Sequence, residues 1–210
     1  MIFKIISILL SYPDEEMISS REEIARVVQD LEDSPARESI ERFLLYWQNT
    51  PPLKLQADYA ETFDFAAKNT LYLSYFRYGD ERRRGQALID LKWTYARAGY
   101  AVESDELPDY LPLMLEFANE DPETGMKLLS EYRAGLEVMR KALLQMRSPY
   151  THLIDALRSL LPEVSEREME EARELVAKGP PRELVGLEAY GSEGPQAPPQ
   201  SKVVFDGRRR

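Results

Sequence analysis

Apolar residues recur three or four positions apart along nearly the whole chain, and alternating, strand-like runs are scarce. That period leaves each helix with one apolar stripe, which other helices must cover. In the opening stretch Ile2, Ile5, Ile6, Leu9 and Leu10 share a stripe that stops at Tyr12-Pro13-Asp14. Interrupted by Lys4 and too short to cross a bilayer, it reads as a core helix and not as an address signal. From Asp14 to Leu31 the residues Met17, Ile24, Val27, Val28 and Leu31 keep helical step. Ser34-Pro35 predicts an N-cap followed by proline in the first turn, opening a helix with Ile40, Phe43, Leu44 and Trp47. That helix ends before Pro51-Pro52, and another runs from Pro52 through Leu55, Tyr59 and Phe63.

The middle of the chain is less regular. Thr70, Leu71, Tyr72, Leu73, Tyr75 and Phe76 show no clear period, so helix and extended chain compete there. Gly79 to Gly85 reads as a charged loop, after which Leu88, Leu91, Trp93 and Tyr95 resume a helix that Gly99 closes. In Glu106-Leu107-Pro108-Asp109-Tyr110-Leu111-Pro112 the two prolines cannot both lie inside a helix. The spacing predicts a helix N-capped by Asp109 through the amide of Leu111, with Pro112 in the first turn. Asp121-Pro122 then opens one long helix carrying Leu128, Leu129, Tyr132, Leu136, Met139 and Leu143. Ser148-Pro149 repeats the cap-and-proline signal before Tyr150, Leu153, Ile154, Leu157, Leu160 and Leu161. A last charged helix, Glu163 to Lys178, has a thin seam of Met169, Ala172 and Val176. From Gly179 prolines and glycines accumulate and no core can be built. The expected architecture is all-α, a single-domain helical bundle over residues 1–178 with a flexible Pro/Gly-rich tail over 179–210.

Composition removes whole classes of chemistry. The 210 residues contain no cysteine, so disulfides, thiolate metal sites and a cysteine nucleophile are out, as suits a reducing cytoplasm. The one histidine, His152, lies among Tyr150, Leu153, Ile154 and Leu157 and reads as structural, which leaves histidine triads and two-histidine metal sites nothing to use. A formal charge of −10 argues against nucleic acid and leaves room for a basic polypeptide. No metal-ligand spacing or glycine-rich phosphate loop stands out, so neither metal nor cofactor is expected.

Each candidate site has a plainer reading beside it. Arg82-Arg83-Arg84 could cradle a phosphate or pin an acidic partner, but without P-loop spacing a solvated loop is the better reading. The aromatic band Tyr59, Phe63, Phe65, Tyr72, Tyr75, Phe76 and Tyr78 could line a groove for an apolar peptide. Phe63 and Phe65 read as core; the tyrosines, whose hydroxyls need partners, are left open between core and groove. Acidic pairs such as Glu61 with Asp64, or Asp105 with Glu106, are what 37 acidic residues produce by chance, and an enzyme is the minor reading.

Several of these stretches carry a resemblance. Tyr59-Ala60-Glu61-Thr62-Phe63-Asp64, Thr70-Leu71-Tyr72-Leu73, the block from Tyr78-Gly79-Asp80 through Arg84-Gly85-Gln86 to Leu91, and Glu106 to Leu113 are similar, in this order, to the delta-chain family of respiratory nitrate reductase, the NarJ family. Leu9 to Asp14 and Ser148-Pro149-Tyr150 resemble its opening and a later helix start. This family falls in the wider TorD-like group of chaperones for molybdenum enzymes.

The resemblance implies an all-α, cytoplasmic chaperone, not an enzyme and not part of the finished complex. It implies binding to the N-terminal segment of the nitrate reductase catalytic subunit during molybdenum cofactor insertion and assembly. The Glu-x-Pro-Asp-His corner is tied to peptide binding in the TorD-like group. Glu106, Pro108, Asp109 and Leu111 match the corner, with Tyr110 at the histidine position. Tyr78 likewise stands where the family has a histidine before the glycine block. Together with the aromatic band, the expected peptide-binding residues are Tyr59, Glu61, Tyr72, Tyr75, Glu106, Pro108, Asp109, Tyr110 and Leu111, on a monomer without membrane insertion. Tyr72→Ala and Asp109→Ala are expected to weaken target binding more than stability. The alternatives are a permanent helical subunit of an oxidoreductase complex and a chaperone for a different molybdenum oxidoreductase.

Overall fold

The computed structural model describes residues 1–64, 69–78, 82–102 and 106–162, with 166, 167, 170 and 174 beyond them. Among these residues the secondary structure is helical, without a strand. The helices are α1 (Ile2–Leu10), α2 (Glu15–Ser19), α3 (Arg21–Gln29), α4 (Pro35–Asn49), α5 (Pro52–Tyr59), α6 (Leu73–Tyr78), α7 (Arg82–Arg97), α8 (Leu111–Glu120), α9 (Pro122–Glu131), α10 (Arg133–Gln145) and α11 (Thr151–Leu160). A π-helical turn, Ala60–Asp64, extends α5. The stretches 65–68, with Phe65, 79–81 and 103–105 lie outside the described residues, as do Met169, Ala172 and Val176 and the tail 179–210.

Helix α1 lies along α8 and touches α11, which packs across α4. Its stripe is inside: Ile6, Leu9 and Leu10 are fully buried, with Ile40, Phe43 and Trp47 of α4 and Leu153, Ile154 and Leu157 of α11. Phe43, Tyr59 and Phe63 all pack on Tyr150, at ring separations of 5.1, 5.9 and 4.9 Å. The sequence signals at α4 hold, since Ser34 Oγ accepts the amide of Arg37 (3.2 Å) ahead of Pro35. So does the stop at Gly99, whose φ of +85° lets Tyr100 N–H reach the Tyr95 carbonyl (3.0 Å) and seal the end of α7.

Five local expectations need correction. The stretch after Asp14 is two helices, broken at Ser20. There the Ser19 and Ser20 hydroxyls both donate back to the Glu16 carbonyl (2.7 and 3.0 Å), which competes with helix propagation. The long helix from Pro122 divides at Tyr132, beyond which Gly135 sits so close to Phe76 that an added Cβ would lie 3.2 Å from it. The arginine run is helical from Arg82, with Gly85 exposed inside α7; Gln86 bonds Asp90 one turn on. Ser148-Pro149 forms a turn, and α11 starts at Thr151, whose amide bonds the Ser148 carbonyl (3.1 Å).

The fifth correction is the cap of α8. Its N-cap is Tyr110, with Pro112 in the first turn as expected. Asp109 does not cap it, because the Leu111 amide is already taken by the Leu71 carbonyl (2.8 Å). Leu73 N–H in turn donates to the Asp109 carbonyl (3.0 Å), so Tyr72 and Tyr110 face each other in an isolated antiparallel bridge. The ambiguous segment around Tyr72 is therefore both things in succession, one extended bridge and then a helix.

Candidate functional site: an acid-rimmed apolar cleft

The bridge holds the Tyr72 and Tyr110 rings 5.4 Å apart at one wall of a cleft of about 680 Å³. Further lining comes from α1, the turn after it, α2 and α3, through Ile8, Tyr12, Met17, Ile24 and Val27. The buried Tyr59, Phe63 and Leu71 add to the apolar lining, as does Leu113 of α8. The size and apolar lining suit a small molecule or a few side chains of a bound peptide.

The charges around it are mostly negative. Among the described residues Asp14, Glu16, Glu23, Asp64, Glu106 and Glu116 line the cleft, with Lys4 as the cation among them. Some of these carboxylates are committed. Asp14 Oδ1 caps α2 by accepting the Met17 amide (2.7 Å), and Glu106 Oε2 accepts the Tyr72 hydroxyl (2.6 Å). Partial desolvation raises the Asp64 carboxyl somewhat, although the residue as a whole stays open to solvent.

The tyrosines are held neutral. Burial, and then the bond to Glu106, pushes Tyr72 well above the usual phenol range. Burial likewise raises Tyr110 to about 12, although its contact with Tyr59 works the other way. Tyr59, whose hydroxyl donates to the Leu10 carbonyl (3.1 Å), is raised by burial and then by Tyr110. These hydroxyls thus keep their protons near neutral pH as uncharged donors, Tyr59 to the Leu10 carbonyl and Tyr72 to Glu106.

The nine residues expected at the site part company here. Tyr59, Tyr72, Glu106 and Tyr110 line the cleft together. Asp109 is wholly buried behind it: Oδ2 accepts the Ser74 amide (3.1 Å) and hydroxyl (2.5 Å), with Arg84 Nη2 at 3.8 Å. Arg84 Nε also donates to Ser74 Oγ (3.1 Å), and its guanidinium lies over Tyr75 at 5.8 Å. Pro108, buried too, gives its carbonyl to the Tyr95 hydroxyl (2.7 Å), while Leu111 and Tyr75 belong to the interior. Glu61 is exposed on the π turn and is not part of the cleft lining. The arginine block thus contributes, through Arg84, an internal clamp on Asp109.

Sequence reasoning missed the wall formed by α1 to α3. A signal existed: Ile8 falls off the stripe that buries α1, and Ile24 and Val27 add apolar surface that Val28, fully buried, does not need. Such a surplus on the outer face of a helix marks a surface with something to cover.

These observations describe an all-α protein with a solvent-open, apolar, acid-rimmed cleft. A family model described as nitrate reductase delta subunit matches residues 29–156. The "Probable nitrate reductase molybdenum cofactor assembly chaperone NarJ" of Bacillus subtilis (strain 168) is 35% identical over 167 residues, covering 79% of this chain and 91% of that protein. The "Nitrate reductase molybdenum cofactor assembly chaperone NarJ" of Escherichia coli (strain K12) is 32% identical over 179 residues, 81% of this chain and 76% of that one. The "Nitrate reductase-like protein NarX" of Mycobacterium tuberculosis (strain ATCC 25618 / H37Rv) is 36% identical over 152 residues; they cover 72% of this chain and only 23% of that protein, so the match spans about a quarter of its length. The chain belongs to the nitrate reductase delta subunit family. Among the described residues no helix is long and apolar enough to cross a membrane.

Proposed function

We propose that the protein is a system-specific, non-catalytic cytoplasmic chaperone of a nitrate reductase. It holds the N-terminal segment of the catalytic subunit in the cleft while molybdenum cofactor is inserted and the complex assembles, and it leaves the finished enzyme. The names of the Bacillus and Escherichia relatives support the assembly role. The observation that carries the binding mode is the cleft itself, with its apolar lining and, among the described residues, six carboxylates against one lysine. A segment with an apolar helical face and a few basic side chains fits those demands: apolar anchors give affinity, and the acidic rim gives orientation and on-rate.

Calorimetry with the N-terminal peptide of the nitrate reductase catalytic subunit from the same genome tests this, beside a scrambled control. The expected result is binding of the native peptide only, with a negative heat-capacity change from buried apolar surface. Equal binding of both peptides, or of neither to a folded sample, would remove the cleft from the account.

A further inference from the structure

We infer that Glu116 is the residue of the cleft that reads a cationic side chain of the bound segment, with Lys4 as the internal stand-in for that cation. The inference rests on the peptide-binding reading and adds the group that sets its charge specificity.

The six carboxylates of the cleft are not equivalent. Glu16, Glu23 and Asp64 are exposed, where water and salt screen a contact. Asp14 spends an oxygen on the α2 cap and Glu106 accepts from Tyr72. Glu116 differs in two respects. Its side chain is only 15% exposed, and one oxygen, Oε2, is buried with no hydrogen-bond partner among the described residues. The other, Oε1, accepts Lys4 Nζ at 2.5 Å. Oε2 is closed off, so the oxygen of Glu116 that a ligand can address is Oε1, where a lysine or arginine that takes the place of Lys4 meets a carboxylate with little competition from water. Asp109 also has an oxygen without a partner among the described residues, but Asp109 is wholly buried and does not line the cleft. Lys4, itself 47% exposed, is held by one contact on a flexible stem and can swing into water when a ligand lysine or arginine arrives. Low local dielectric makes a contact at Glu116 worth more than one on the exposed rim.

The test crosses two variants with two peptides. The peptides are the native N-terminal peptide of the catalytic subunit and a copy with every Lys and Arg replaced by Gln; the readout is Kd at fixed ionic strength. Glu116→Gln is expected to weaken the native peptide by about tenfold and leave the Gln copy within about twofold, a coupling that only a charge-reading contact produces. Lys4→Met, which frees Glu116 without touching the core, is expected to tighten the native peptide about threefold and not the Gln copy. Equal effects on both peptides, or none, would overturn the assignment, and the Lys4 variant decides alone if the Glu116 variant does not fold. Failure of the unmodified protein to bind either peptide would overturn the cleft reading and this inference with it.

Discussion

On the inner side of the Glu106–Leu111 corner, Asp109 is fully buried and clamped by the Ser74 amide and hydroxyl, with Arg84 behind them. On the outer side, three residues earlier, Glu106 accepts the Tyr72 hydroxyl at the mouth of an open cleft. Both are acidic members of one short motif, and both bond a residue of the segment 72–74. Their surroundings give them different work. The inner carboxylate ties the corner to α6 and α7 and so fixes where the outer one stands. A motif associated with binding can thus be half scaffold, and substituting its members need not report on binding at all.

The sharpest break of this comparison is Asp109→Ala. It leaves Ser74 without its acceptor and removes the carboxylate beside Arg84, a loss of about 2–4 kcal/mol for a buried, hydrogen-bonded charge. The expected outcome is a large drop in Tm, with peptide affinity of the fraction still folded nearly unchanged. That reverses the order expected from sequence. A Kd raised more than tenfold at unchanged Tm would return Asp109 to the binding surface. Next in size is Gly125→Ala, far from the corner but on the neighbour of α8. A Cβ there would lie 2.3 Å from the Ala118 Cα, so α9 must move off α8 at a cost of about 1–3 kcal/mol. Urea denaturation checks the loss, and unchanged peptide affinity would show that stability and recognition separate.

What the sequence made legible follows from how locally each feature is determined. The cap at Ser34, the stop at Gly99 and the buried stripes of α1, α4 and α11 depend on residues within a turn or two of each other. A local capping rule misplaces Asp109 because its partners lie 35 and 25 residues back, at Ser74 and Arg84, beyond the rule's reach. The breaks at Ser20 and Tyr132 leave no mark in the sequence pattern, because the apolar period continues smoothly through them. Of the cleft, the aromatic half could be read from Tyr59, Tyr72 and Tyr110. The half on α1 to α3 left only a faint signal, the surplus of Ile8, Ile24 and Val27, because a half-exposed Ile24 or Val27 looks much the same in sequence whether it faces the core or a ligand.

Smaller effects separate the tyrosines of the outer side. Tyr110 carries a phenol raised from 10.0 to about 12, chiefly by burial. The folded state therefore holds that proton more tightly than the unfolded chain does. The stability this contributes is complete below about pH 10 and is lost as pH rises from there through about 12. Tyr59, Tyr95 and Tyr150 shift in the same direction, so denaturation midpoints should fall steeply across that window. Tyr110→Phe should flatten part of the fall while costing about 1 kcal/mol or less at neutral pH. A slope unchanged by the substitution would mean that Tyr110 titrates as an ordinary exposed phenol.

The smallest expected change in stability, and the most informative about the outer side, comes from Tyr72→Phe. The ring remains 5.4 Å from Tyr110 and keeps its apolar contact area, so stability should move by no more than about 0.5 kcal/mol for a half-exposed hydroxyl. What is lost is the donor that orients Glu106 through the 2.6 Å bond. If Glu106 contributes to the bound state by being held in place, affinity for the native peptide falls about three- to fivefold, mostly through a faster off-rate. The Gln-substituted peptide should lose a similar factor, since the cation is read at Glu116 and Glu106 acts here as a positioned hydrogen-bond acceptor. Tyr72→Ala, which also removes the ring, should weaken both peptides alike and by more. Should Phe and Ala at this position prove equally damaging to both, the hydroxyl would have no separate role, and the outer side of the corner would work through its aromatic surface alone.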